Sequence, residues 1–235
     1  MSSIALDSAR WRASWDEVMT GFVPGLSLLE AAIAHAAGEP RRILDLGGGP
    51  GVMAERMAER WPTATVTMID LDPVLLALAR SAVPTEVSVL EADLGSFDPL
   101  PEADLVTAVM TVHYLRPERI RTLYRRCHQA LAPGGLLVVA DLMPDEGLPS
   151  VMSALNPAPG EAAAELAWAQ WWGEMAAADE FTQLMDDREE VFGSRPAANF
   201  AGSVAWHIAA ARSAGFREAG LIWRDGRHAA LAALR

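Results

Sequence analysis

The chain has 235 residues, of which 51% are hydrophobic and 21% charged, and this composition excludes a disordered or collagen-like protein. All 19 basic residues are arginine, against 31 acidic residues, and the net charge of −12 at pH 7 disfavours nucleic acid as a partner. No apolar run approaches about 18 residues, so we expect no membrane-spanning helix and no membrane partner.

The cysteine and metal-ligand content points to a reducing compartment. Cys127 is the one cysteine and therefore cannot form an internal disulfide or a Cys-based zinc site. Asp7, Arg10 and Arg12 stand where a secretory leader would need an apolar stretch. These two features predict a cytoplasmic protein. No His, Asp and Glu cluster has metal-ligand spacing either, so we expect no metal site.

The first 40 residues are predicted to form an N-terminal helical cap. Trp11, Trp15, Val18 and Met19 recur at helical spacing. Pro24 then breaks the chain, and a second helix is predicted at Leu26–Ala37.

Residues 41–145 are predicted to form a cofactor-binding core in which strands and helices alternate. This alternation is typical of βαβ units and a parallel sheet, so the predicted fold class is α/β. Asp72 followed by Pro73 predicts an N-cap and a first helical residue. The predicted strands are Arg42–Leu46, Thr65–Asp70, Glu86–Leu90, Asp104–Met110 and Leu136–Asp141, and the predicted helices are Gly51–Trp61, Pro73–Ala82 and Pro117–Leu131.

Residues 146–200 are predicted to be a lid inserted before the fold is completed. Trp168, Trp171 and Trp172 either form a wall of a substrate pocket or belong to the buried stripe of an amphipathic helix that includes Met175. Arg195 could bind a carboxylate substrate, but a lone arginine on a loop is usually solvated.

Residues 201–235 are predicted to complete the sheet, so that 1–235 is a single domain. A helix is expected at Ser203–Ala214 and strands at Phe216–Trp223 and His228–Leu234. The Asp225-Gly226 turn between the two apolar runs predicts an antiparallel hairpin.

The most informative segment is Asp45-Leu46-Gly47-Gly48-Gly49-Pro50-Gly51, which follows the first strand and opens a helix. Glycine permits positive φ and lets a ligand approach the backbone closely. The dinucleotide fingerprint needs glycine where Val52 stands, so binding of NAD is disfavoured. A purely structural turn remains a second alternative.

Acidic residues follow the next two strands. Asp70 can accept hydrogen bonds from both ribose hydroxyls of a nucleoside lying across the strand ends. Asp93 can accept one from an adenine amino group, with Leu71 and Leu94 providing flat apolar contact. Both acids could instead be solvated residues at strand ends.

Taken in chain order, these motifs resemble the class I S-adenosylmethionine-dependent methyltransferases. The overall length and the Trp-rich segment are also similar, less specifically, to the small-molecule type called trans-aconitate-methyltransferase-like. The resemblance implies a Rossmann-like, doubly wound, seven-stranded sheet with an antiparallel last strand and a helical lid. The matching segments are 45–51, 69–70, 91–94, 104–115 and 131–135.

The resemblance implies S-adenosylmethionine as the cofactor, with Asp45 orienting the glycine loop or meeting the methionine amino group. The implied function is methyl transfer to an oxygen, nitrogen or carbon of a small organic molecule by in-line displacement in a lidded pocket. The alternative is a protein that uses the same ligand structurally or for a non-methylating reaction. The implied cofactor-binding residues are Asp45, Gly47, Gly48, Gly49, Gly51, Asp70, Leu71, Asp93, Leu94 and Met110.

Few catalytic groups are needed, because methyl transfer mainly requires alignment at about 3 to 3.5 Å and exclusion of water. A base is needed only when the acceptor carries a proton of high pKa. His113 and His207 are the candidate bases and Tyr114 a candidate for orienting the substrate, each with structural packing as the alternative. The eight tryptophans also leave a homodimer open.

Overall fold

The computed structural model describes residues 7–23, 25–155, 158–195 and 198–235. Pro24, the predicted break between the first two helices, lies outside these ranges. The two helices themselves are present as α1 (Ser8–Phe22) and α2 (Leu26–Ala37).

A seven-stranded sheet with the order β3-β2-β1-β4-β5-β7-β6 forms the centre of the molecule. Strand β7 is antiparallel to both β5 and β6, whereas the pairs among β1 to β5 are parallel. The predicted α/β class, with seven strands and a reversed last strand, is therefore confirmed. The strands are β1 (Arg42–Leu46), β2 (Thr65–Asp70), β3 (Val87–Glu91), β4 (Ala103–Val109), β5 (Leu131–Leu142), β6 (Glu218–Asp225) and β7 (His228–Leu234).

Helices cover both faces of the sheet and also the edge where the parallel strands end. One hydrophobic core lies between the sheet and α5 and α9, and a second lies between the sheet and α2 and α3. A third core joins Trp11, Trp171 and Phe181 to α4. The remaining helices are α3 (Val52–Arg60), α4 (Pro73–Ala82), α5 (Pro117–Ala130), α6 (Pro149–Leu155), α7 (Ala158–Ala176), α8 (Thr182–Phe192) and α9 (Val204–Ala214).

Strand β5 begins at Leu131, five residues before the sequence prediction. Leu131 pairs with Ala103 of β4, and the Gly134 amide donates to the carbonyl of Arg235 at 3.2 Å. The Arg235 amide in turn donates to the Gly135 carbonyl at 3.0 Å. These non-local partners hold the Pro-Gly-Gly segment within β5, where Gly134 has the positive φ of +80° that a turn residue often adopts.

Asp72 is the N-cap of α4, as the sequence predicts. Its Oδ1 accepts from the amides of Val74 at 3.0 Å and Leu75 at 3.3 Å, and Pro73 opens the helix. Its Oδ2 accepts from Nε of Arg188 on α8 at 2.6 Å. One carboxylate therefore both starts a core helix and anchors the lid, and the second contact has no local sequence signal.

Two further properties concern the described part of the chain. No single helix in it is long and apolar enough to span a membrane, although α1 and α2, bent by 89° at their break, would together satisfy that test. Within the same residues, no group of three or more His, Cys, Asp or Glu is placed to hold a metal ion.

Candidate active site

A cavity of about 650 Å³ lies over the carboxyl ends of β1, β2, β3 and β4. Open α/β sheets bind ligands at this edge, where the strand order reverses on either side of β1 and β4. The glycine loop and the strand-end acids form its floor. Residues of helices α1, α7 and α8 line the opposite side, which we call the roof, so the topology brings the predicted cofactor motifs to one cavity.

The glycine loop has a backbone that other residues cannot easily adopt. Gly47 has φ +69° and Gly49 has φ +56°, both in the left-handed region. The Gly47 amide donates to the carbonyl of Ile69 at 2.7 Å, which holds the loop against β2. A Cβ on Gly47 would lie 1.9 Å from Oγ1 of Thr111, so a side chain there would displace the segment after β4.

Asp45 presents an unsatisfied oxygen next to this loop. Its Oδ1 accepts from the Thr107 hydroxyl at 2.8 Å, whereas its Oδ2 is buried and has no hydrogen-bond partner. Burial raises the pKa of Asp45 to about 6, although the Thr107 hydrogen bond opposes the shift. Oδ2 lies against the glycine loop, since a Cβ on Gly48 would be 2.9 Å from it, and Asp45 lines the cavity. An unpartnered carboxylate oxygen at this position is suited to a cationic donor on a ligand.

Asp70 is held by the backbone of both neighbouring segments. Its Oδ2 accepts from the Gly49 amide at 2.8 Å, and its Oδ1 accepts from the amides of Leu71 at 2.7 Å and Asp72 at 2.9 Å. Burial raises the pKa of Asp70, and these backbone hydrogen bonds oppose the shift without cancelling it. The carboxylate is thus fixed at the end of β2 and faces the cavity with lone pairs to spare.

Asp93 lies at the rim, with Leu71 and Leu94 beside it in the lining. Its Oδ1 accepts from the Gly95 amide at 2.8 Å, and its Oδ2 accepts from Nη2 of Arg195 at 3.0 Å. Although partial burial acts to raise the pKa of Asp93, these hydrogen bonds and the nearby guanidinium charges lower it overall. Arg195 therefore already has a carboxylate partner, Asp93, with which a substrate carboxylate would compete.

Two predicted cofactor residues behave differently from each other. Gly51 does not line the cavity, and a Cβ there would lie 2.4 Å from Cγ1 of Val83, so this glycine permits close packing against the end of α4. That placement corrects its predicted contact with the cofactor. Met110 does line the cavity and has φ +51°, a left-handed conformation that is uncommon outside glycine and often marks functional sites.

His113 forms a close pair with Asp141, the penultimate residue of β5. Nδ1 of His113 lies 2.7 Å from Oδ1 of Asp141, and the His113 amide donates to Oδ2 at 3.1 Å. We assign the ring proton to Nδ1, where the carboxylate accepts it, which leaves Nε2 with a lone pair. Since His113 lines the cavity, the pair has the arrangement of a base held by an acid.

Sequence reasoning missed Asp141, although a signal was present. Asp141 ends the predicted fifth strand, and β5 pairs with β4, the strand that precedes His113. Parallel neighbours bring their carboxyl ends together, so the two side chains could have been paired from topology alone. Tyr114 also lines the cavity and is 58% exposed, with its ring centroid 4.0 Å from that of His113.

His207 is not part of this site. It is fully buried between α9 and α5, where its Nδ1 lies 2.6 Å from the hydroxyl of Tyr124. Burial lowers the pKa of His207 to about 4, so the imidazole is neutral. A base must reach the substrate, and this residue does not line the cavity, so the structure corrects the prediction of a catalytic role.

The tryptophans of the lid divide between the two interpretations. Trp168 and Trp172 line the cavity, and the ring centroid of Trp168 lies 4.9 Å from that of Trp15 on α1. Trp171 is instead buried, donates from its indole to the Ser14 hydroxyl at 3.0 Å and packs edge-on against Trp11. The same tryptophan-bearing face of α7 therefore contributes Trp168 and Trp172 to the cavity and packs against α1.

The fold and the cavity define a class of protein: an α/β domain with a ligand site built from a glycine loop and strand-end carboxylates. Residues 43–135 match a family described as a methyltransferase domain. Over these residues the predicted resemblance to class I S-adenosylmethionine-dependent methyltransferases is confirmed. The match ends before Asp141, the lid and the closing hairpin.

Curated relatives and solved structures extend this result. The chain is 40% identical over 106 residues to the trans-aconitate 2-methyltransferase of Methylobacterium nodulans, covering 45% of this chain and 39% of that protein. It is 37% identical over 106 residues to the Escherichia coli protein of the same name, covering 45% of this chain and 40% of that one. The chain thus spans less than half the length of these relatives.

Two solved structures share the fold. Human N-acetylserotonin methyltransferase in complex with S-adenosylmethionine superposes with a TM-score of 0.61 at 21% identity, over all of this chain and 60% of that one. An S-adenosylmethionine-dependent methyltransferase from Mesorhizobium loti gives a TM-score of 0.57 at 20% identity, covering 87% of this chain and 96% of that one. At these identities the likeness establishes the architecture.

Proposed function

We propose that this chain transfers a methyl group from S-adenosylmethionine to a small organic acceptor. One observation carries the proposal: a single cavity joins the glycine loop and its acids to the face of His113 and to the tryptophan roof. A site that holds a methyl donor next to an oriented base and encloses both from water has what this chemistry needs.

The floor of the cavity fits S-adenosylmethionine. Asp45 offers a buried, unpartnered Oδ2 to the ammonium group of the methionine part, and Asp70 offers its fixed carboxylate to the ribose hydroxyls. Asp93, with Leu71 and Leu94, is placed for the adenine. When bound, this molecule supplies an electrophilic methyl group on a sulfonium.

His113 is the proposed general base. Asp141 fixes the imidazole and directs its proton to Nδ1, so Nε2 can take a proton from the acceptor. Tyr114, whose exposed ring lies tilted against that of His113, is the residue that we propose orients the acceptor. Residues of the glycine loop, α1, α7 and α8 line the cavity, and we propose that they limit the access of water to the reacting groups.

The direct test is calorimetric titration with S-adenosylmethionine, S-adenosylhomocysteine and NADH in parallel. We expect micromolar affinity for the first two and no response to NADH, and Asp70→Ala should weaken both affinities. Formation of S-adenosylhomocysteine that depends on an added acceptor would then establish methyl transfer. Binding without transfer to any acceptor would favour the alternative of a protein that uses the ligand without methylating.

The choice of acceptor is proposed to depend on residues outside the matched segment 43–135. The predicted lid at 146–200 and cap at 1–40 would select the acceptor, since described residues of α1, α7 and α8 line the roof of the cavity. We also propose a cytoplasmic location and leave a homodimer as a proposal, which sedimentation at micromolar concentration would test. For binding partners, we propose a small-molecule substrate and expect neither nucleic acid nor a membrane.

A further inference from the structure

The arginines that line the cavity are already neutralised. The chain has no lysine, so arginine is the only side chain with a permanent positive charge. Among the described residues, Arg56, Arg188 and Arg195 line the cavity. Each is bound to carboxylates of the chain itself, so none offers an unused charge to an anionic ligand.

Each of the three arginines has at least one carboxylate partner within the chain. Arg56 donates to Asp16 of α1 at 2.6 Å and to Glu30 of α2 at 2.8 Å. Arg188 donates to Asp72 at 2.6 Å, and its guanidinium carbon also lies 3.9 Å from the ring centroid of Trp172.

Arg195, the third arginine of the lining, donates to Asp93 at 3.0 Å. A substrate carboxylate would have to displace one of these internal partners and leave that partner unpaired in a half-buried site. That exchange is unfavourable.

Carboxylates outnumber arginines in the lining. Acidic residues from the floor, the rim and α1 all face the cavity, and Asp45 carries the unpartnered oxygen. The lining therefore has no excess of positive side chains that would attract a polyanionic acceptor. The five acidic residues are Asp16, Asp45, Asp70, Asp72 and Asp93.

The roof has the opposite preference, for flat apolar groups. Trp15 and Trp168 lie with ring centroids 4.9 Å apart, and Phe22 lies 6.0 Å from Trp168 in an edge-on arrangement. Met19 and Leu26 complete this surface. Trp15 also approaches the glycine loop, since a Cβ on Gly49 would lie 3.4 Å from its Cζ2, so an acceptor held here would sit beside the methyl donor.

We propose that the acceptor is a neutral aromatic compound with a hydroxyl group, and not a polycarboxylate. This inference rests on the proposed function and differs from the substrate printed in the names of the curated relatives. In the transfer, the acceptor oxygen bonds to the methyl carbon as the carbon–sulfur bond of the sulfonium breaks, and Nε2 of His113 takes the hydroxyl proton. S-adenosylhomocysteine is released as a neutral thioether at sulfur.

The test compares two probes on the protein saturated with S-adenosylhomocysteine. Calorimetric titration should show that 2-naphthol binds at least about tenfold more tightly than trans-aconitate. This difference corresponds to about 1.4 kcal/mol of binding free energy. Trp168→Ala should weaken 2-naphthol binding at least about fivefold, and Trp168→Phe should restore most of it. The phenylalanine variant keeps an aromatic ring and controls for loss of folding.

A second pair of variants reverses the charge argument. Asp16→Asn combined with Glu30→Gln leaves Arg56 without its two carboxylate partners, so affinity for trans-aconitate should rise about fivefold or more. Equal or tighter binding of trans-aconitate by the unaltered protein, or no binding of 2-naphthol, would overturn the inference. Failure of S-adenosylhomocysteine itself to bind would instead overturn the proposed function, so the two failures are distinguishable.

Discussion

Nδ1 of His113 and Oδ1 of Asp141 lie 2.7 Å apart although 28 residues separate them in the chain. The contact forms because β4 and β5 are parallel neighbours and both end at the floor of the cavity. Asp141 is 1% exposed at its side chain, so its charge is stabilised mainly by the donors of His113 and Leu142. The pair is therefore a fixed unit, and we treat Asp141 as a positioning residue.

If His113 is the base, His113→Gln should lower kcat about a hundredfold while leaving affinity for S-adenosylmethionine nearly unchanged. Asp141→Asn should lower kcat about tenfold or more, because the amide no longer fixes the tautomer of the ring. Steady-state kinetics and calorimetry on the same preparations separate the two effects.

The double variant provides the control for this pair. Because the two residues act as one unit, combining both substitutions should cost no more than about threefold beyond His113→Gln alone. If the losses of kcat in the two single variants multiply in the double variant, Asp141 acts independently of the imidazole. If Asp141→Asn also lowers the affinity for S-adenosylmethionine, Asp141 instead maintains the structure of the cavity floor.

Affinity for S-adenosylmethionine should fall as pH is lowered through about 6, the value to which burial raises the pKa of Asp45. The sign follows because the ammonium group of the ligand is bound by the ionised carboxylate, which protonation removes. Below that pH, affinity should fall by up to about tenfold per unit.

Asp45→Asn separates this effect from the raised pKa of Asp70. The variant should bind about ten- to a hundredfold more weakly at pH 8, and its remaining pH dependence should be shallower. A variant slope identical to that of the parent protein, measured calorimetrically between pH 5 and pH 8, would assign the titration to Asp70.

Gly47→Ala should weaken cofactor binding by about tenfold or more, because the new Cβ meets Thr111 at the centre of the site. Gly134→Ala is the matched control: Gly134 has φ +80° but nothing within 4 Å of a new Cβ. Both variants should lose about 1 to 2 kcal/mol of stability from the left-handed backbone. Chemical denaturation measures that loss, and equal cofactor affinities in the two variants would exclude a role for the loop.

The stability of the fold should fall as pH is lowered from 6.5 to about 4, the range set by the depressed pKa of His207. In this range the unfolded histidine binds a proton that the folded one does not, so stability rises with pH. The full effect is at most about 3 kcal/mol. Urea denaturation of His207→Gln should show a flatter profile, whereas His35→Gln, at an exposed position, should match the unaltered protein.

Local patterns sufficed for the sheet and for the floor of the site. Alternating apolar runs predicted the parallel strands within one or two residues in most cases, because burial on both faces demands continuous hydrophobic residues. The Asp225-Gly226 pair predicted the closing hairpin, but the turn lies one residue later than predicted, at Gly226 and Arg227, because Asp225 is the last residue of β6 and pairs with His228. The glycine loop was recognisable because positive φ at Gly47 and Gly49 restricts the residue type.

Predictions that depended on distant partners were incomplete. Nothing near His207 in the sequence shows that Tyr124 accepts or donates a hydrogen bond to it in the core. Gly51 belongs to the glycine motif, but in the structure it permits close packing against Val83, a residue 32 positions away. Likewise, the inclusion of the Pro-Gly-Gly segment in β5 depends on hydrogen bonds between its two glycines and Arg235.

The sequence by itself determined the α/β class, the order of the core elements and the loop that receives the ligand, because each follows from periodicity or from the conformational limits of glycine. Only the tertiary structure decided which histidine faces the cavity and which arginines have carboxylate partners. Those properties arise from distances between residues far apart in the chain. Charge pairing such as that of Arg188 with Asp72 therefore becomes visible only when the lid lies over the core.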